Sequence, residues 1–129
     1  MPVTYEIDQA RKIIRTRCVG DVTLDAVIEH FQLLTQDPDC PDRLDVVLDL
    51  TEQAILPTSG QLRAVSYEIG RVSDRIRFDA CAIVARSDAM FGLARMFEVF
   101  AEGRFRATRV FRSLSDAEAW VLAEQSSPA

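Results

Sequence analysis

Two spacings of apolar residues alternate along the chain. Val3 to Asp8 and Arg11 to Val19 are rich in β-branched and aromatic side chains. In the second run Ile14, Thr16 and Cys18 share one face and Ile13, Arg15 and Arg17 the other, the two-residue repeat of a strand. Only Gln9-Ala10 separates the runs, which therefore predict a hairpin. Gly20-Asp21 breaks the pattern, and Thr23 predicts the N-cap of a helix carrying Leu24, Val27, Ile28, Phe31 and Leu34 at helical spacing. Asp37-Pro38-Asp39-Cys40-Pro41 ends that helix, because proline cannot continue it.

Leu44 to Leu50 is a short apolar run of the kind buried on both faces of a parallel sheet. Thr58 and Gln61 form a capping box that opens a helix with Leu62, Val65, Ile69, Val72 and Ile76 as its core stripe. Phe78 to Ala85 predicts the next strand, and Ser87 or Asp88 caps a third helix reaching to about Glu102. Met90, Leu93, Ala94, Met96, Phe97, Phe100 and Ala101 share one broad face of it. Phe105 to Phe111 is the last strand. Ser115-Asp116-Ala117-Glu118 reads as a capping box for a final helix that buries Ala117, Trp120 and Val121. The order β-β-α-β-α-β-α-β-α predicts an α/β fold: a single mixed, mostly parallel sheet of about five strands flanked by about four helices, joined by right-handed crossovers. Residues 1–124 form one expected domain, with a flexible polar tail over 125–129.

Composition narrows the function. A net charge of −5 argues against nucleic-acid binding, which calls for a basic excess. Arg104, Arg106, Arg109 and Arg112 recur without lysines (Lys12 is the only one), and read as a solvated strand flank. No apolar stretch approaches the ~20 residues of a membrane span, and residues 1–20 lack a secretory pattern, so a cytoplasmic location without an integral membrane segment is expected. Cys18, Cys40 and Cys81 are widely spaced, with no Cys-x-x-Cys pair; reduced thiols and no metal site or cofactor are expected. Cys81 lies in an apolar strand and reads as core. His30, the sole histidine, is placed at the flank of the first helix beside Glu29 with no nucleophile motif, which counts against a hydrolase. The five glycines form no phosphate-binding loop. A non-enzymatic role is the expectation.

The element order, with Val46-Val47-Leu48-Asp49-Leu50, Ala82-Ile83-Val84-Ala85, the run Phe91 to Glu98 and Val110-Phe111-Arg112-Ser113-Leu114 before an acidic, tryptophan-bearing helix, resembles the STAS superfamily. More narrowly it resembles the SpoIIAA-like bacterial branch, often grouped with Sec14-type domains. The resemblance spans essentially the whole chain. It implies a binding or protein-interaction domain. In anti-sigma-factor antagonists a serine opening the helix after the third strand is a phosphorylation switch, usually within Asp-Ser-Ser-Gly. Pro57-Thr58-Ser59-Gly60 puts Ser59 at that position, with Pro57 in place of the aspartate.

Open parallel sheets bind ligands outside the carboxyl ends of their strands, where strand order reverses. Asp49, Thr58, Ser59, Arg86, Ser87 and Asp88 are expected to gather there. Phe91 falls opposite the core face of the third helix with Arg95 one turn on, so that the guanidinium can cover the ring; this pair reads as an interface anchor. Three readings follow: a module binding a protein partner, a second copy or a small ligand; a regulator switched at Ser59; and, by analogy to Sec14-type domains, a carrier of an apolar ligand or lipid. For the carrier, Met90, Phe91, Met96, Phe97, Phe100 and Phe105 supply adaptable walls.

Overall fold

A computed structural model describes residues 2–126. Nine elements follow in the expected order: β1 (Val3–Asp8), β2 (Ile13–Gly20), α1 (Leu24–Gln36), β3 (Arg43–Gln53), α2 (Ser59–Arg71), β4 (Arg77–Val84), α3 (Asp88–Phe100), β5 (Ala107–Phe111) and α4 (Leu114–Ser126). One sheet holds all five strands in the order β1-β2-β3-β4-β5. β1 pairs antiparallel with β2, and every later pairing is parallel.

That order dictates where the helices go. The crossovers β2-α1-β3, β3-α2-β4 and β4-α3-β5 all step in the same direction across the sheet. Right-handed crossovers stepping one way place their helices on one face, so α1, α2 and α3 form a single layer. α4 follows the last strand and covers the opposite face, packing on β3, β4 and β5. The core is accordingly double. Ile14, Phe31, Leu34, Phe78, Ile83 and Phe97 belong to the three-helix side, and Ile13, Val47, Ala82, Val84, Ala117 and Val121 to the α4 side. Adjacent residues Ile13 and Ile14 serve different cores, as strand alternation requires.

Several boundaries differ from expectation: α2 ends at Arg71, before Val72 and Ile76, β3 runs on past Leu50 to Gln53, and β5 begins at Ala107 and not Phe105. The hairpin turn takes residues 9–12, because Asp8 Oδ1 accepts the Arg11 N–H at 3.1 Å and Lys12 adopts a φ of 55°; β2 therefore begins at Ile13 and not Arg11. Helix α4 is capped by Ser113, whose Oγ accepts the Asp116 N–H at 3.1 Å, and not by Ser115. Its far end continues through Ser126, so Gln125 and Ser126 are helical, while residues 127–129 of the anticipated tail lie outside the described residues. Met96, expected on the core face of α3, is 40% exposed, because the buried stripe of the helix is confined to Met90, Ala94 and Phe97. No helix among the described residues is long and apolar enough to cross a membrane.

Candidate functional site

Of the residues expected at the carboxyl end of the sheet, Thr58, Ser59, Arg86, Ser87 and Asp88 lie on loops and helix starts, whereas Asp49 lies within β3, which runs on to Gln53. The Asp49 Oδ1 accepts the Thr51 N–H at 2.9 Å and hydroxyl at 2.7 Å, two residues along the same strand. Thr58 caps α2: its Oγ1 accepts the Gln61 N–H at 3.1 Å, and the Gln61 carboxamide accepts the Thr58 N–H at 2.8 Å. Ser59 is the exposed first residue of α2. Ser87 caps α3 by accepting the Met90 N–H at 3.1 Å. The strand order has no reversal, so the crevice that a reversal opens is absent from this sheet.

The cation over Phe91 is Arg112 and not Arg95. The Arg112 guanidinium stands 4.1 Å from the ring centroid, donates to the Arg86 carbonyl at 2.8 Å and pairs with Asp88 at 3.0 Å. Arg95 pairs with Glu98 at 3.1 Å along its own helix. Phe91 is half-buried and packs partly against the core. Register offers the signal that was missed. β4 and β5 run parallel with Val84 opposite Phe111, so Arg112 and Arg86 must leave the sheet side by side.

A different feature dominates the three-helix face. α2 makes its close backbone approaches with α1 and α3, whereas α4 lies directly on the sheet. Apolar residues on both inner surfaces stay half-buried although they face each other across the layers. Val46, Leu48 and Leu50 do so on β3, and Val27, Leu62, Val65 and Leu93 on the helices. Between them lies a cavity of about 150 Å³. Its floor is the inner face of the sheet, including Ile14, Thr16, Cys18, Leu48, Cys81 and Ile83. Val27, His30 and Phe31 of α1, Leu62 and Val65 of α2, and Met90, Leu93, Ala94 and Phe97 of α3 form its walls, and Phe105 adds to them. The lining reaches the surface near Val22 and Thr23 after β2 and near Pro57 and Gln61 before and within α2. These two loops are tied together where the Ala54 N–H meets the Gly20 carbonyl at 2.8 Å.

None of the eight residues marked from sequence lines this cavity. Of the Met/Phe set, Met90, Phe97 and Phe105 do, while Phe91, Met96 and Phe100 do not. His30, expected at a flank, is buried on the wall with its ring against Tyr5 and Phe31, both at 5.3 Å between centroids. Its place was readable: it lies three residues after Val27 and four before Leu34, on the apolar stripe of α1. Burial lowers its pKa from 6.5 to about 4, so the ring is neutral near pH 7. Among the described residues its Nδ1 is the buried side-chain nitrogen or oxygen without a hydrogen-bond partner. Beside it the Tyr5 hydroxyl donates to Asp37 Oδ2 at 2.7 Å; burial foremost, then this bond, pushes the Tyr5 pKa up to about 12.

The three cysteines are free and buried. Desolvation raises the pKa of Cys18 to about 11, with the Asp49 charge adding to it, and raises that of Cys81 further. Both thiols stay protonated and act as soft apolar wall atoms. No group of three metal-ligating side chains occurs among the described residues.

Comparison with known proteins places the architecture. No family model matches the chain, and no curated protein matches it. Among solved structures it is similar to an uncharacterized protein of the DUF3478 family with a SpoIIAA-like fold from Shewanella loihica PV-4. The two share 18% sequence identity over 92% of this chain and 90% of that one, with a TM-score of 0.60. The fold is thus a SpoIIAA-like α/β fold, as the sequence resemblance implied.

Proposed function

We propose that this chain is a non-catalytic binding domain and that the cavity between the three-helix layer and the sheet receives a small, largely apolar molecule. The observation that carries this reading is the half-exposure of apolar residues on two facing inner surfaces around a space of about 150 Å³. Apolar walls left apart lose both dispersion contacts and the benefit of removal from water, and an apolar occupant restores both. A dry cavity of about this size lined by leucine, isoleucine and phenylalanine accepts benzene. The carrier reading from sequence is retained in this form, with a compact occupant, since the space is far smaller than the acyl chains of a membrane lipid.

Benzene serves as the first probe. Saturating benzene is expected to raise the melting temperature of the native chain. Ala94→Leu and Val65→Phe, which push carbon atoms into the space from two walls, should each abolish that shift. Ala94→Leu should also stabilise the empty protein by about 1 kcal/mol, as cavity filling commonly does. No benzene-induced shift in the native chain, or an undiminished one in both variants, would refute the reading.

The exposed position of Ser59 at the start of α2 favours a second, regulatory reading. Thr58 occupies the cap, so the Ser59 hydroxyl stands beside free backbone N–H groups and the positive helix end, where a phosphate is favoured. Intact-mass measurement of the chain purified from its native cells under varied growth conditions should show a one-phosphate increment lost in Ser59→Ala. Its absence in every condition removes this reading.

A further inference from the structure

Where α2 meets the end of α3 the surface forms an open depression. Arg63, Ser66 and Tyr67 of α2, Phe100 of α3 and Arg104 in the turn beyond it line this depression, which shares no lining residue with the cavity. Both arginines are placed without a carboxylate. The Arg63 guanidinium stands 4.7 Å from the centroid of the half-buried Phe100 ring. The Arg104 guanidinium lies against α2 at Gly70, so close that a Cβ there would clash with its Nη1. Among the described residues neither guanidinium forms an ion pair or donates a hydrogen bond. Acids are in excess in this chain, and other arginines reach them, as Arg15 does with Glu118 and Arg106 with Asp79.

Gly70 carries the argument furthest. Glycine inside a helix weakens it relative to alanine, yet Gly70 lies in the last turn of α2. What it provides is room for Arg104, at a helix end whose dipole favours a cation. The rest of the lining leaves the two charges available. Ser66 is turned away, its Oγ donating to the Phe100 carbonyl at 2.9 Å, and no Asp or Glu borders the depression. Exposed Tyr67 keeps its hydroxyl free to donate. We infer that this depression binds a phosphate monoester as its dianion, with Arg63, Arg104 and the Tyr67 hydroxyl donating to the phosphate oxygens. Planar guanidinium forks match phosphate geometry. A monoester carries nearly two charges above its second pKa of about 6, whereas a carboxylate would leave one guanidinium without a counter-ion. A phosphorylated metabolite and a phosphorylated side chain of another protein both present this group.

Phenyl phosphate is titrated by calorimetry at pH 8 and low ionic strength into the native chain, Gly70→Ala, Arg63→Leu and Arg77→Leu. Arg77→Leu removes an exposed strand arginine outside the depression and so controls for net charge. Gly70→Ala keeps every charge; its methyl group displaces the Arg104 guanidinium, whose flexible stem lets it swing away, so its melting temperature should equal or exceed the native value. Gly70→Ala and Arg63→Leu should each weaken binding about fivefold, the upper range for an exposed ion pair, and Arg77→Leu should leave it unchanged. Benzoate should bind the native chain at least about fivefold more weakly than phenyl phosphate, for want of the second charge. A short phosphotyrosine peptide that binds more tightly than phenyl phosphate assigns the site to a protein partner, and one that binds no more tightly assigns it to a free metabolite; both support the site. Absence of phenyl phosphate binding, undiminished affinity in both Gly70→Ala and Arg63→Leu, an equal loss in Arg77→Leu, or benzoate binding as tightly as phenyl phosphate overturns it.

Discussion

Asp45→Ala is expected to cost about 3–4 kcal/mol of folding stability, among the largest losses available from one side chain. Asp45 is 1% exposed, beneath the last turn of α4. The β3–β4 pairing shifts by one residue between Leu44 and Val46, and the Asp45 carboxylate reaches into that irregularity. Its Oδ1 accepts the Ala80 N–H at 2.9 Å, and its Oδ2 accepts the Gln125 Nε2–H at 2.8 Å. Arg43 stands 3.8 Å away. Alanine would leave a buried backbone donor unpaired at the centre of a parallel sheet and release the hold on α4. The Gln125 amide also donates to the Arg11 carbonyl at 2.7 Å, so its carboxamide fastens the end of α4 to both β3 and the first hairpin. Asp45→Asn retains an acceptor and should lose about half as much. Chemical denaturation checks both variants; an Asp45→Ala protein within about 1 kcal/mol of the native chain would show that water or a shifted strand satisfies Ala80 instead.

The Asp45 anchor also shows where reading the chain in one dimension reaches its limit. Element order was legible because each strand and helix advertises itself locally: Leu44 to Leu50 by its apolar run, α2 by Thr58 and Gln61, α3 by Ser87. That order, with right-handed crossovers, leads to the SpoIIAA-like fold. Asp45 and Gln125 are 80 residues apart, and nothing local marks either; Gln125 reads as tail until the sheet brings β3 beneath it. Arg112 likewise looks like one of several solvated arginines until parallel pairing places it beside Arg86 and over Phe91.

The site was less legible for a different reason. Polar residues at strand ends attract attention because chemistry needs polar groups, so Asp49, Ser59 and Asp88 stood out. A cavity is made of ordinary core residues that fail to meet, and Leu62 looks the same in sequence whether its neighbour is touching or several ångströms away. The gap lies between the sheet and the layer of α1, α2 and α3, and depends on how four elements pack, which no single segment encodes. His30 alone carried a local sign. A histidine in step with Val27 and Leu34 is committed to the interior, where its second nitrogen must find something.

That commitment sets the acid limb of the stability curve. Folding stability is expected to fall by about 3 kcal/mol between pH 6.5 and pH 4, because burial lowers the His30 pKa from 6.5 to about 4. The unfolded chain takes up a proton on this histidine near pH 6.5, while the folded chain refuses it until about pH 4. Over that window the unfolded state binds more protons, so stability is fully present above pH 6.5 and is lost as pH falls toward 4. His30 is the only histidine. Asp37 and Asp79, held below the usual carboxylate range by Tyr5 and by Arg43 and Arg106, lose their charge only at lower pH. His30→Phe should therefore flatten the curve between pH 6.5 and 4 while matching or exceeding native stability at pH 7, since it replaces an unpaired buried nitrogen by carbon of similar bulk. Denaturant titrations at half-unit pH steps read this directly. A native slope that survives unchanged in His30→Phe would mean that the ring is protonated, or reached by water, inside the fold, and that other groups set the acid limb.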